Sequence, residues 1–382
     1  MNFIFDNNLD CFLKIILKTA QNQNLKLYFV GGIVRDYFLR KKTTDIDLLI
    51  VGNAIDFAKS LPKEITLKSI HEDFCTAKVE YKNLQIDIAS TRIEKYPYSG
   101  CLPVVTKTGV ELREDVSRRD FKINSMYFEL GLKNDKITYE LIDLVNGQKN
   151  LKDKILSVLH KKSYIDDPTR ILRGLGFKYR FGFDFSQEDK TLIEEYLNNI
   201  DYSNMSFDRC FQVFKKTLLN KYSNEIFKEI IEKKYYKILF NHNLDIDFKK
   251  IDEIINKFNL KNENLVNFYL KILENKNVER QNPKTYYEIS KTFENYSNED
   301  LAYYFYKTND ENIETYLKFE NQKLLISGED LINLNYPKGK LFGEIMSNLL
   351  NEKLKNKILN NKILSKEEEI NWVLNQFPQK EK

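Results

Sequence analysis

The spacing of hydrophobic residues changes along the chain and divides it into two parts. Near the N-terminus, short apolar runs alternate with helical patterns, which predicts a helix over residues 10–21 and strands at 27–30, 46–51 and 84–89. From about Asp143 onward strand signals fade, and apolar residues recur at helical spacing. The amphipathic helices predicted there cover residues 191–200, 210–219, 226–240 and 251–258. The pattern therefore indicates an α/β head followed by an all-helical remainder.

A glycine pair and two aspartates follow the first predicted strand. Gly31 and Gly32 let the backbone turn sharply with its N–H groups open to an anion, and a helix is predicted to begin near Ile33. Asp45 and Asp47 are two residues apart in a strand pattern, so both carboxylates should point to one place. Paired carboxylate oxygens suit Mg²⁺. The spacing predicts a phosphate and metal site, whereas a glycine turn followed by surface aspartates is the simpler alternative for either half alone.

Length, charge and cysteine content narrow the class of protein. A chain of 382 residues exceeds what one core usually holds, so two or more domains are expected. The net charge is only +4, so a nucleic-acid partner would require the basic side chains to gather on one face. Four scattered cysteines and three histidines predict neither a zinc cluster nor a disulfide framework, and they favour a cytoplasmic protein. No apolar run approaches the length of a membrane span, so no membrane association is expected.

Two later segments carry polar groups that a nucleotide site needs. Asp87 lies in a strand pattern and could supply a third carboxylate, although its spacing alone favours an outward-facing strand residue. Arg118 and Arg119 can make forked hydrogen bonds to phosphate oxygens, while Asp120 and Asn124 can address hydroxyl groups. A solvated run of charges is the alternative for this second segment.

A third segment, DDPTRILR, combines the start of a helix with two side chains that can form hydrogen bonds to a base edge. Asp167 before Pro168 predicts an N-cap with proline at the first helical position, and Arg170 and Arg173 then lie one turn apart. An acceptor on Asp167 beside a donor on Arg170 matches a base edge that offers an exocyclic amine next to a ring-nitrogen acceptor. Cytosine and adenine present that edge, whereas guanine and uracil present the reverse. A capped helix with exposed arginines is the alternative.

Taken in order, these motifs resemble those of the class II tRNA nucleotidyltransferase and bacterial poly(A) polymerase family. The matching segments are GGIVRD with DID (31–47), RRDFKIN (118–124), the turn at 143–147 and DDPTRILR (166–173). A further match at 326–345 is similar to the tail of tRNA-directed members. This chain has Gly176 where the family usually has an arginine, and Lys338 and Lys340 replace expected tail residues.

The resemblance implies a catalytic palm in which Asp45 and Asp47 hold Mg²⁺ and Asp87 occupies the position where many members have a strand acid. The nucleotide-binding residues that it implies are Gly31, Gly32, Arg35 and Asp36 in the first motif, Arg118, Arg119, Asp120 and Asn124 in the second, and Asp166, Asp167, Arg170 and Arg173 in the last. The glycines with Arg35 would cradle the triphosphate. The second group would bind ribose and phosphates, and the last group would select the base.

The function that follows from the resemblance is CCA addition to tRNA, in which the tRNA 3′-hydroxyl attacks the α-phosphate of CTP or ATP. The alternatives are an A-adding or CC-adding tRNA nucleotidyltransferase, a poly(A) polymerase, or a non-catalytic tRNA-binding protein. The segment between Arg92 and Arg118 is not visibly shortened, which disfavours CC-only addition. The expected partners are tRNA, CTP and ATP, and no protein partner is predicted.

The fold class that the resemblance implies is α+β: a polymerase-beta-like nucleotidyltransferase palm with a mixed sheet, followed by an all-helical neck, body and tail. The predicted domains are the head (1–140), a neck with the base-recognition helices (141–195), a helical body (196–290) and a helical, tRNA-binding tail (291–382).

Overall fold

A mixed β-sheet forms the centre of the first of two compact units, Met1–Asn243 and Leu244–Lys382, in the computed structural model. The structure describes residues 7–43, 45–201, 206–319 and 322–379. The strands are β1 (Leu27–Val30), β2 (Ile46–Ile50), β3 (Thr66–His71), β4 (Thr76–Tyr81), β5 (Leu84–Ser90), β6 (Arg92–Lys95), β7 (Val104–Thr108), β8 (Tyr127–Lys133), β9 (Lys136–Ile142), β10 (Ile155–Leu156) and β11 (Asp184–Phe185).

Helices of the first unit flank this sheet and continue beyond it. They are α1 (Asn7–Asn22), α2 (Gly32–Phe38), α3 (Ala54–Lys59), α4 (Leu112–Asp115), α5 (Gly147–Asp153), α6 (Ser163–Asp166), α7 (Thr169–Phe181), α8 (Gln187–Asn198), α9 (Phe207–Leu218) and α10 (Ser223–Glu232). Short 3₁₀ turns lie at Glu72–Phe74, Val116–Arg118, Lys122–Asn124 and Tyr235–Ile238.

The strand order places the predicted acids near the middle of the sheet. Within the described residues the sheet has seven strands in the order β3-β4-β5-β2-β1-β8-β9. Strands β2 and β5 run parallel with Asp47 opposite Asp87, while β1 pairs antiparallel with both β2 and β8. All four residues of β1 are buried, because the strand has neighbours on both edges and apolar layers on both faces. The sheet thus holds Asp47 next to an inner strand.

Two local predictions differ from the structure. Strands β10 and β11 form a short parallel pair within a segment that shows no strand signal in the sequence. The helix predicted over 226–240 divides into α10 and the turn at Tyr235–Ile238, because Lys234 adopts a left-handed backbone with a φ of 59°.

The predicted turn at 143–147 is confirmed, since the Asp143 carboxylate accepts hydrogen bonds from the N–H groups of Gly147 and Gln148.

The second unit contains helices throughout its described residues. They are α11 (Phe248–Lys257), α12 (Asn262–Glu274), α13 (Tyr286–Phe293), α14 (Asn298–Thr308), α15 (Asn312–Leu317), α16 (Gly328–Asn333), α17 (Lys340–Asn360) and α18 (Lys366–Gln376). A buried ion pair joins α17 to α18, with Lys353 Nζ 2.6 Å from Glu369 Oε1. The other Glu369 oxygen accepts the N–H groups of Leu325 and Ile326, so the last helix fixes the segment ahead of α16.

The α+β class, a mixed sheet followed by a helical region, is confirmed by this architecture. The finer division at residues 140, 195 and 290 stays a prediction. Among the residues described, no helix is both long and apolar enough to cross a bilayer. The four cysteines are free thiols.

Candidate active site

A cleft of about 790 Å³ in the first unit brings together most of the residues predicted from the sequence. Its walls come from the start of α2, the beginning of β2, the segment 118–124, and helices α7 and α9. Thirteen of the fifteen predicted site residues border it: Gly31, Gly32, Arg35, Asp36, Asp45, Asp47, Arg118, Arg119, Asp120, Asn124, Asp167, Arg170 and Arg173. The two that do not are Asp87 and Asp166.

The turn after β1 passes close to the Asp47 carboxylate. Gly31 has a φ of 78°, a backbone conformation that residues with a Cβ adopt only with strain. A Cβ at Gly31 would also lie 3.4 Å from Asp47 Oδ2. The first glycine therefore lets the chain turn into α2 while it passes close to a carboxylate that borders the cleft.

Asp45 and Asp47 form the acidic part of the cleft. Burial, followed by the negative charges of Asp87 and Asp45, raises the pKa of Asp47 to about 6. Over the described parts of the chain, no group of three or more His, Cys, Asp or Glu side chains has metal-binding spacing, so a metal site here rests on the pair. Asp47 is half-buried and Asp45 is exposed, and a cation between them would relieve the repulsion that Asp47 experiences, so the pair fits Mg²⁺.

Asp47→Asn is expected to stabilise the metal-free protein at alkaline pH. The pKa of Asp47 is higher in the folded state than the ordinary value of 3.8, so its contribution to stability is present below pH 3.8 and is lost as the pH rises through about 6. In EDTA the melting temperature of the variant should exceed that of the wild type at pH 8 by roughly 2–4 °C, with a smaller gap at pH 5. The exposed Asp56→Asn is the control for removing one negative charge. An equal difference in melting temperature at both pH values would contradict the raised pKa of Asp47.

A polar network connects the glycine turn to α7. Arg35 is buried and donates to Asp36 Oδ1 and to Asn124 Oδ1, each at 2.8 Å. Asn124 Nδ2 donates to Asp120 Oδ1 at 3.1 Å, and Arg173 lies 2.5 Å from Asp120 Oδ2. Burial opposes ionisation of Asp120, but Arg173 and these hydrogen bonds outweigh it and lower its pKa. The network fixes two arginines at the cleft wall.

Arg118 and Arg119 share a counterion that sequence reasoning missed. Asp115 is fully buried; its Oδ1 accepts from Arg118 Nε at 2.8 Å, and its Oδ2 accepts from Arg119 Nη2 at 2.7 Å. Burial alone would raise the pKa of Asp115, but the two guanidinium groups lower it. The carboxylate therefore orients both arginines toward the cleft.

Asp115→Asn is expected to lower the free energy of unfolding by about 3 kcal/mol, because two largely buried guanidinium groups lose their shared charge partner. The KM for a nucleoside triphosphate should rise by roughly tenfold as the arginines lose their orientation. Asp189→Asn is the matched control, since Asp189 is equally buried but lies outside the cleft and accepts from Val158 N–H and Tyr164 OH. It should lower stability without changing KM, and an equal KM effect in both variants would contradict the orienting role.

Asp167 and Arg170 lie at the start of α7, as predicted, and both are buried. The regular helix begins at Thr169, and Asp167 Oδ1 accepts from the Thr169 N–H at 3.1 Å. The predicted helix start is therefore wrong by one residue, because Pro168 precedes the first helical residue, but the Asp167 side chain still accepts from an N–H of the first turn. Arg170 donates to Ser163 Oγ at 2.6 Å and to the Arg118 carbonyl at 2.9 Å, and its Nη2 lies 3.3 Å from Tyr96 OH. The alternative of exposed arginines is wrong for Arg170, while the Arg173 side chain is half exposed.

Asp87 and Asp166 are positioned beside the cleft. Asp87 is exposed on the strand next to Asp47 and lies 3.5 Å from Lys78 Nζ. Asp166 ends α6, with Oδ2 3.8 Å from His160 Nε2. A catalytic role for Asp87 and base selection by Asp166 stay predictions.

Several cleft residues escaped the sequence analysis. Phe177 and Arg180 continue the face of α7 that carries Arg170 and Arg173, so helical spacing could have found them. Arg35 stacks on Phe177 and Phe181, with its guanidinium carbon 5.3 Å and 4.7 Å from the ring centroids. The other lining residues outside the prediction are Lys42, Thr43, Tyr96, Gly176, Val213, Lys216, Thr217, Leu219 and Asn220. A Cβ at Gly176 would meet only Thr217 Cγ2, at 3.9 Å.

Comparison with known proteins gives a family match that coincides with the sheet and the first motifs. Residues 27–157 match the poly A polymerase head domain. An A-adding tRNA nucleotidyltransferase of Aquifex aeolicus is 34% identical over 236 residues, which is 61% of this chain and 26% of the relative. A CCA-adding enzyme of Staphylococcus epidermidis is 26% identical over 245 residues, 63% of this chain and 58% of the relative. The chain spans 26%, 44% and 20% of the length of three A-adding relatives that it matches.

Solved structures match along nearly the whole chain. The apo form II of a CCA-adding enzyme superimposes with a TM-score of 0.77 at 25% identity, covering 98% of this chain and 97% of that one. The Thermotoga maritima CCA-adding enzyme in complex with tRNA gives a TM-score of 0.69 at 26% identity, covering 97% and 96%. The likeness therefore extends through the helical region, beyond the segment that the family model covers.

Proposed function

Because this chain belongs to the class II tRNA nucleotidyltransferase family, we propose that it extends the 3′ end of tRNA as a CCA-adding enzyme. It would use CTP and ATP without a nucleic-acid template and release pyrophosphate. The observation that carries the proposal is one cleft that holds the Asp45–Asp47 pair, the arginine-rich wall and the Asp167–Arg170 pair together. Phosphate chemistry and base selection can thus act on the same nucleotide.

Each part of the cleft has a role in this proposal. The triphosphate lies against Gly31, Gly32 and Arg35, and its charge is balanced by arginines such as Arg119. Asp45 and Asp47 would hold Mg²⁺, which when bound supplies charge neutralisation at the reacting phosphate and an activated 3′-hydroxyl. Ribose hydroxyls meet Asp120 and the base meets Asp167 and Arg170. The protein therefore contributes positioning and electrostatics rather than a covalent intermediate.

A-only addition is the second candidate, because the A-adding relatives are 34–36% identical to this chain and the CCA-adding ones 24–27%. The Asp167–Arg170 pair suits adenine and cytosine equally, so the site chemistry serves either activity. Among the residues that the structure describes, no observation favours CC-only addition, a poly(A) polymerase or a non-catalytic tRNA-binding protein. The free cysteines fit the proposed cytoplasmic location.

The test is incubation of the purified protein with two tRNA transcripts, one that lacks the three terminal nucleotides and one that ends in CC. A CCA-adding enzyme extends the first by three nucleotides with CTP and ATP together, by two with CTP alone, and extends the second by one with ATP. An A-only enzyme extends only the second. Extension of an unrelated RNA into long A tracts would overturn the tRNA assignment, and no extension of any RNA would overturn the enzymatic one.

A further inference from the structure

Arg209, on α9, reaches Asp167 from outside the lining of the cleft. Its Nη2 lies 2.6 Å from Asp167 Oδ2, and the two side chains are 23% and 10% exposed. Its Nη1 lies 3.3 Å from each of the Gly100 and Cys101 carbonyl oxygens, in the loop between β6 and β7. The guanidinium is therefore held between a loop backbone and a carboxylate that borders the cleft.

The hydrogen bonds of Asp167 leave little acceptor capacity free. Oδ1 accepts from the Thr169 N–H at 3.1 Å and from the Thr169 hydroxyl at 2.6 Å. Oδ2 accepts from Arg209. An ionised carboxylate has about four acceptor positions, so these three donors from the described residues leave about one, and it is on Oδ2. One exocyclic amine N–H fits that position.

We propose that Arg209 is a positioning residue that determines base specificity through Asp167. The inference rests on the proposed function and deepens it. With Arg209 present, Asp167 has a fixed orientation and a single open acceptor position, which cytosine or adenine fills and which a base carbonyl cannot. Without Arg209, Oδ2 has a second open position that a water molecule takes. Such a water can donate a hydrogen bond to the carbonyl of uracil or guanine and so reduce the discrimination against them.

The experiment compares kcat/KM for CTP against UTP and for ATP against GTP, with the full-length protein and tRNA primers that the wild type extends. In Arg209→Ala the preference for CTP over UTP and for ATP over GTP should fall by about tenfold, mainly through a lower KM for UTP and GTP, which the water then accommodates. Arg209→Lys should recover part of the preference, because an ammonium group can still donate to Oδ2. A role in folding alone would lower the melting temperature without changing this ratio.

Glu229→Gln is the control variant. Glu229 is buried and accepts from Lys178 Nζ at 2.8 Å and Tyr179 OH at 2.9 Å, so its replacement weakens another contact to α7, away from Asp167. Its nucleotide preference should equal that of the wild type. If Arg209→Ala does not fold, Arg209→Gln provides the same ratio with a smaller change. An active wild type and an unchanged ratio in these variants would overturn this inference alone, whereas a wild type that extends no RNA would overturn the proposed function.

Discussion

Asp45→Ala and Asp47→Ala should each lower the rate of nucleotide addition by about a thousandfold or more, because the cleft loses one of the two carboxylates proposed to hold a cation at the reacting phosphate. The affinity for tRNA should stay within about threefold of the wild type, since phosphate contacts to basic side chains dominate binding to nucleic acids. Removal of a crowded carboxylate relieves repulsion, so both variants should remain folded. Single-nucleotide extension, filter binding and a melting curve measure these three quantities.

Asp135→Ala is the matched control for these variants, because Asp135 is an exposed acid in the same unit that pairs with Lys14. It should retain full activity. A parallel loss of tRNA affinity and activity in the Asp45 or Asp47 variant, or activity retained in either, would count against the metal-binding assignment. Asp87→Asn gives an independent measurement of the neighbouring acid, and activity close to the wild type would remove Asp87 from the catalytic set.

Replacing Asp167 is expected to change both nucleotide selectivity and stability. In Asp167→Ala the discrimination against UTP and GTP should fall by roughly ten- to a hundredfold, since a desolvated group left unsatisfied costs on the order of 1–3 kcal/mol. The same variant should lose about 1 kcal/mol of stability, because Asp167 also caps α7. Steady-state kinetics with each nucleotide and a denaturant titration measure the two effects.

Two further variants separate capping from base reading. Asp167→Asn keeps an oxygen that can accept from the Thr169 N–H but places an amide NH₂ where the base amine would bind, so it should lose selectivity with a smaller loss of stability. Thr169→Val removes the hydroxyl donor and leaves the carboxylate in place, and it should preserve the preference for CTP and ATP. Unaltered selectivity in both Asp167 variants would leave the base-reading role without support.

The inner strands and the motifs could be predicted because their signals are local. Strands β1 and β2 are short, largely buried apolar runs. The glycines that follow β1 and the two aspartates at the start of β2 border the cleft. Strand β3 gives no such signal, since most of its residues are exposed or half-buried at the edge of the sheet. The hairpin of β8 and β9 was not predicted either. Its two-residue turn consists of Asn134 and Asp135, residue types that tolerate the positive φ that both adopt there.

Two contacts that complete the site differ in their separation along the sequence. Asp115 is three and four residues from the arginines that it binds, whereas Arg209 is far in sequence from Asp167. The spacing of Asp115 to Arg118 and Arg119 is one at which side chains meet on a helix, so this pairing could have been found in the sequence. Only the fold shows that Asp115 is fully buried. In the sequence, Arg209 is one of many basic residues in an amphipathic helix. Its contact with Asp167 depends on how α9 packs against α7. Packing decides the partner of Arg209, and no fixed spacing in the sequence encodes it.

The pairing of β1 with β8 has a consequence for synthesis of the protein on the ribosome. Leu27 pairs with Leu130, so about 100 further residues must be synthesised before β8 can cover the second edge of β1. At typical elongation rates of 5–20 residues per second this interval lasts roughly 5–20 s. During it the nascent chain exposes the edge of an apolar strand, a surface that chaperones recognise. Asp45 and Asp47 also emerge before the arginines at 118 and 119, so a nascent chain carries the acidic pair long before it can bind a triphosphate.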